Sequence, residues 1–133
     1  MELYPLILLK SHILFALEKQ RSGRDFDRES TTYDIEHILP ENPSEGWASY
    51  IPESKQDRAL YRLGNMTPLE SNKNRELGNG DYEKKREVYR SSDFQITRAI
   101  AEHYDEWNEN KIEAHQKKLA DLATSVWRIE LEK

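Results

Sequence analysis

The chain has 133 residues, 34% charged and 36% hydrophobic, with a formal net charge of −5. That length supports one domain with one modest core. Three Trp, seven Tyr and three Phe argue against disorder, and the absence of cysteine excludes a disulfide framework, a thiolate zinc site and a cysteine nucleophile.

The opening stretch is apolar through Leu3, Leu6, Ile7, Leu8, Leu9, Ile13, Leu14, Phe15 and Leu17. Pro5 suits a first helical turn, and the helix is predicted to reach about Gln20. Lys10, Ser11 and His12 interrupt the run, which leaves it too short to cross a membrane, and Glu2 stands where a signal peptide has a basic start. The expected location is cytoplasmic. The apolar residues lie on more than one face, so this helix is expected to pack on two sides, the second against a domain outside this chain. Residues 21–30 are polar and predict a loop. Residues 1–30 therefore form a leading helix and loop, compatible with the end of a preceding domain, and residues 31–133 form the main domain.

Thr31, Thr32, Tyr33 and Ile35 favour a strand that Pro40 stops. Pro43, Gly46 and Pro52 predict loop over residues 41–52. A short helix is expected over 54–63, with Gly64 as its left-handed stop. Met66 to Leu69 predict a second extended segment, at an edge because of Pro68. Ser71 or Asn72 would cap a helix to about Leu77, ended by Gly78 and Gly80, and Asp81 would cap another to about Tyr89. Ile96, Ala99, Ile100, His103, Tyr104 and Trp107 share one helical face, as do Ile112, Leu119, Leu122, Ala123 and Val126 after a break near 108–110. Two antiparallel helices follow, with Trp107 and Trp127 in the core.

Chemistry concentrates in Tyr33-Asp34-Ile35-Glu36-His37-Ile38-Leu39-Pro40 and in Leu63-Gly64-Asn65-Met66-Thr67 followed by Asn72-Lys73-Asn74-Arg75. In a strand, Glu36 and His37 point to opposite faces. A return strand feeding a helix would bring Asn74 back toward them. A neutral imidazole can take a proton near pH 7, and a carboxylate and an amide oxygen suit a hard divalent cation. Lys84-Lys85-Arg86 is more often a solvated helix face than a phosphate contact. Asp34 shares the strand face of Glu36. The bland alternatives are a solvated strand end for Glu36-His37, turn chemistry for Asn65 and a helix-start residue for Asn74.

This order of motifs resembles the HNH, or ββα-metal, nucleases. The surroundings are similar to a narrower family, the C-terminal domain of GmrSD-type modification-dependent restriction proteins. The likeness covers roughly residues 33–129. It includes Lys85 through Tyr89 with Ser92, the Trp107 region, and Leu119 to Trp127. The resemblance implies an α+β fold, a ββα-metal core of two short strands surrounded by several helices. It implies a metal-dependent DNA endonuclease acting against foreign or modified DNA and leaving a 5′ phosphate and a 3′ hydroxyl. His37 would be the general base, and Glu36 and Asn74 would hold one Mg²⁺ or Mn²⁺. Asn65 would hydrogen-bond across the loop between the strands. Lys73, Arg75, Lys84 and Lys85 would contact phosphates. The partner implied is DNA, with nucleotide use assigned to an upstream ParB-like nucleotide-hydrolysing domain or subunit. Departures are Glu36 where many HNH proteins have Asp, Asn74 where many have a metal-binding His, and His115 where the family's last helix has Arg. The acidic net charge and the weak ligand set suit a competing class, a catalytically silent HNH-like module that binds DNA or a partner. The strongly apolar first helix suits a second competing class, a helical interaction protein with no nucleic-acid role.

Overall fold

Strand β1 (Tyr33–His37) and strand β2 (Met66–Glu70) pair antiparallel, with Tyr33 opposite Glu70, Ile35 opposite Pro68 and His37 opposite Met66. The computed structural model describes residues 4–26 and 32–132, and among these the sheet has two strands. Both strands are therefore edges, which is why Pro68, lacking an amide hydrogen, is tolerated in β2. Thr31 and the second half of the expected 21–30 loop, with the boundary at residue 30, lie outside the described residues.

An isolated hairpin is marginal in water and needs helices against it. Among the described residues six helices surround this one: α1 (Tyr4–Ser22), α2 (Glu53–Leu60), α3 (Ser71–Leu77), α4 (Tyr82–Tyr89), α5 (Gln95–His103) and α6 (Glu109–Glu132). The described residues are thus α+β. One apolar cluster gathers Ile38, Leu39, Trp47, Tyr89, Ile100 and Trp107. A second joins α1, β2, α5 and α6 through Leu14, Leu17, Met66, Ile96 and Leu119. On α1, Leu14 and Leu17 are fully buried, whereas Leu8 and Leu9 are more than half exposed.

Buried polar groups tie these layers together. Helix α5 starts after Phe94, whose side chain offers no cap. The missing cap comes from α1: the fully buried Glu18 carboxylate accepts from the Gln95 amide at 2.9 Å and the Ile96 amide at 2.8 Å. At the next residue, Thr97 donates to the Pro68 carbonyl at 2.6 Å, so the 2.7 Å contact between Thr67 and Thr97 has Thr67 as donor. This chain of bonds fixes α5 to β2.

Several expectations need correction. Helix α2 ends at Leu60 and is followed by a 3-10 turn, Leu63–Asn65. Gly64 is not a left-handed stop, since positive φ occurs among the described residues at Gly23 and Gly78. Its requirement is closeness to α6: a Cβ at Gly64 would lie 2.4 Å from the Ile112 carbonyl oxygen. Neither Ser71 nor Asn72 caps α3, because Ser71 is already helical and Glu70 occupies the cap position without a side-chain bond. Asp81 does cap α4, accepting from the Lys84 amide at 3.1 Å, and Gly78 ends α3 with φ +56°. The expected loop over 41–52 contains a 3-10 turn, Glu45–Ser49, that buries Trp47. Trp107 is buried in the segment between α5 and α6 and not on α5 itself, while Trp127 is 45% exposed near the end of α6 and is not a core residue.

Candidate active site

The segment that leaves β1 is held by Asn65, which is fully buried. Its side-chain oxygen accepts from the Leu39 amide at 2.8 Å and from Trp107 Nε1 at 3.0 Å. Its side-chain nitrogen donates to the Leu39 carbonyl at 3.1 Å and the Leu60 carbonyl at 3.2 Å. The Asn65 carbonyl accepts from the Ile38 amide at 2.9 Å. All four hydrogen-bonding positions of the amide are thus filled, and the chain after His37 has one path.

Beside this segment lies a cleft of about 300 Å³ lined by Glu36, His37, Pro40, Glu41, Asn42, Asn74 and Asn79, among others. His37 presents two different nitrogens. Nε2 is buried without a hydrogen-bond partner, whereas Nδ1 lies 3.7 Å from the carboxylate of Glu41, an exposed residue of the same cleft. Burial holds the imidazole below the ordinary histidine value, opposed by Glu41 and reinforced by Lys85 and Lys10. The ring is therefore neutral at pH 7, and Nδ1 is the nitrogen on the side of Glu41.

Asn74 stands on α3 across the cleft. Its side-chain nitrogen donates to Asp34 at 3.1 Å, which leaves its oxygen for the cleft. Glu36 has a different setting. It is 4% exposed, and its Oε2 accepts from Tyr89 Oη at 2.7 Å and lies 3.0 Å from Lys85 Nζ. The same ammonium donates to the His37 carbonyl at 2.8 Å. Burial pushes the Glu36 carboxyl up and the Lys85 ammonium down, and each group opposes the other's shift.

The other cations expected at phosphates divide. Lys85 is fully buried against Glu36 and presents nothing to solvent, which corrects its assignment as a phosphate contact. Lys84 and Arg75 are exposed, and Lys73 is half-buried, 3.7 Å from Glu70. Three further participants had little signal in sequence. Glu41 is four residues from His37 and reaches its ring. Asp34, on the strand face of Glu36, orients Asn74. Tyr89 completes the surroundings of Glu36 from a helix that sequence spacing alone does not bring near.

A hard cation such as Mg²⁺ keeps several waters and needs one or two protein oxygens besides substrate phosphate. The Asn74 amide oxygen fits that requirement, because its nitrogen is held elsewhere. Glu36 lines the same cleft, but its Oε2 is already engaged by Lys85 and Tyr89. Among the described residues, no group of three or more His, Asp or Glu side chains gathers as a metal cage.

The family described as GmrSD restriction endonucleases, C-terminal domain, matches residues 6–122. The chain belongs to it. The match takes in most of α1 and both strands. No curated protein and no solved structure matches the chain. Among the described residues no helix is long and apolar enough to cross a membrane.

Proposed function

We propose that this GmrSD-type domain hydrolyses phosphodiester bonds in DNA at the cleft between β1 and α3, with His37 as general base. The single observation that supports this most is the state of His37: a neutral ring in the lining of an open polar cleft, with one nitrogen buried and the other beside Glu41. A water in that cleft would lose its proton to the His37 imidazole as it attacks phosphorus, and the leaving 3′ oxygen would take a proton from solvent water to give a 3′ hydroxyl and a 5′ phosphate. Asn74 would hold a divalent cation, Mg²⁺ or Mn²⁺, through its amide oxygen. When bound, such an ion would neutralise charge on the phosphate and on the leaving oxygen. Asp34 keeps the Asn74 amide turned the right way. Asn65 keeps the segment after His37 in place and takes no part in proton transfer. Arg75, Lys84 and Lys73 offer cations near α3 and α4 for the DNA backbone, offsetting an acidic net charge.

The setting proposed is restriction of foreign or modified DNA in the cytoplasm, with nucleotide use supplied by a ParB-like domain or subunit upstream. The test is nicking of supercoiled plasmid with Mg²⁺ or Mn²⁺, comparing the wild-type protein with His37→Ala. A loss of at least 100-fold is expected from removal of a general base. Equal cleavage by a folded His37→Ala protein would overturn the assignment. The engaged state of Glu36 favours a second reading, a silent DNA- or partner-binding module. Salt-dependent DNA binding without cleavage under any metal would select it.

A further inference from the structure

Three buried side chains from two elements meet beside the cleft, and of the three only Glu36 reaches its wall. Glu36 on β1 is 4% exposed, while Lys85 and Tyr89 on α4 are fully buried. Lys85 Nζ reaches both the Glu36 carboxylate at 3.0 Å and the His37 carbonyl at 2.8 Å, and Tyr89 Oη donates to the same carboxylate oxygen at 2.7 Å.

We propose that Glu36, Lys85 and Tyr89 form one positioning unit that fixes the backbone of His37 from behind, and that Glu36 is the counter-charge of Lys85 and not a ligand of the catalytic cation. The proposal deepens the hydrolytic role given to His37 above. Three arguments carry it. First, the ammonium bridges two consecutive residues of β1, the carboxylate of one and the carbonyl of the next. The histidine's backbone is thereby held to α4 at the point where the strand ends. Second, a buried charge needs a partner, and removing either member leaves the other uncompensated in the interior. Glu36 is the acidic partner the structure gives to Lys85. Third, a dication on Glu36 would stand within a few ångströms of that ammonium in a poorly screened interior, where like charges repel strongly. Lys85 therefore occupies the role that a metal would otherwise fill beside Glu36, and the cation is left to the Asn74 side of the cleft.

The variants Glu36→Gln, Lys85→Met and Tyr89→Phe separate the possibilities, with Asn74→Ala as comparator. Cation binding is read as the Mn²⁺ concentration that half-broadens backbone amide signals around the cleft by NMR. The setting of His37 is read from the line shape and chemical shift of its ring. Folding is checked by circular dichroism. The expected result is Mn²⁺ affinity within about threefold of wild type in the three variants of the unit and a loss of at least tenfold in Asn74→Ala. The His37 ring signals should shift or broaden in Lys85→Met and Glu36→Gln, with kcat on plasmid lowered at least tenfold. Tyr89→Phe, which keeps the ring and should fold whatever the others do, is expected to lower kcat several-fold with Mn²⁺ affinity unchanged. A tenfold loss of Mn²⁺ affinity in Glu36→Gln would make Glu36 a ligand and overturn the proposal. So would unchanged His37 signals in folded Lys85→Met or in Tyr89→Phe if the others fail to fold. If the wild-type protein cleaves no DNA, the hydrolytic reading fails, while the Mn²⁺ and His37 measurements still decide the positioning unit.

Discussion

Asn65→Ala removes an amide that satisfies four buried groups, and the size of the effect follows from them. The Leu39 amide and Trp107 Nε1 lose their acceptor, and the carbonyls of Leu39 and Leu60 lose a donor. Each hydrogen bond contributes about 1 kcal/mol net, and a buried group left unsatisfied costs about 1–3 kcal/mol. Four bonds at the low end give about 4 kcal/mol, a large share of the roughly 5–15 kcal/mol that holds a domain together. The expected lowering of Tm is on the order of 10 °C or more. Urea unfolding followed by tryptophan fluorescence measures it, and Trp107 reports directly because its indole loses a partner. Asn65→Asp should be at least as damaging near pH 7, since a carboxylate oxygen would face the two carbonyls. A loss below about 1 kcal/mol for Asn65→Ala would refute the view that this amide is what ties the segment after β1 to α2 and Trp107.

Glu18→Ala should destabilise by about 2–4 kcal/mol in urea unfolding, because two amides at the start of α5 lose a charged acceptor in the interior. Gly64→Ala should cost about 1–3 kcal/mol by overpacking against the α6 backbone, read as a lower urea midpoint with an unchanged slope. His115 is 5% exposed, and burial, with like-charge help from Lys118, Arg21 and His103, brings its pKa to about 3. The unfolded chain takes up that proton near 6.5 and the folded one does not, so stability falls as pH drops: by about 2 kcal/mol from this group between pH 7.5 and 5. His115→Phe should remove that increment of acid sensitivity in unfolding curves taken at the two pH values. For the reaction, the acid limb of the rate profile should lie below the usual histidine value, and Glu41→Gln should move it lower still, because Glu41 raises the His37 pKa; a shift upward would contradict the geometry of Nδ1.

Local chemistry made much of this molecule legible before its coordinates. The strands flanking the loop, Asp81 at the head of α4, Gly78 at the tail of α3 and the apolar faces of α5 and α6 all declare themselves through short-range rules of period and capping. What sequence did not reveal was long-range pairing. Nothing near Phe94 marks a cap, because the cap is Glu18. Gly64 reads as a turn residue until α6 is seen pressing on it. The same limit shaped the reading of the cleft: an acidic residue beside a histidine looks like a metal ligand by motif, and only the arrival of Lys85 and Tyr89 from α4 shows where its charge is neutralised.

The joint between Glu18 and the start of α5 has a mechanical consequence. A rotation or pull applied to α1 is transmitted to α5 through a charged clasp, then through Thr97 to the strand opposite His37. The leading helix is a lever set against the half of the molecule that carries the cleft, so trimming the chain back to residue 31 would do more than shorten it: it would remove the carboxylate that holds α5, the helix bonded to the strand opposite His37.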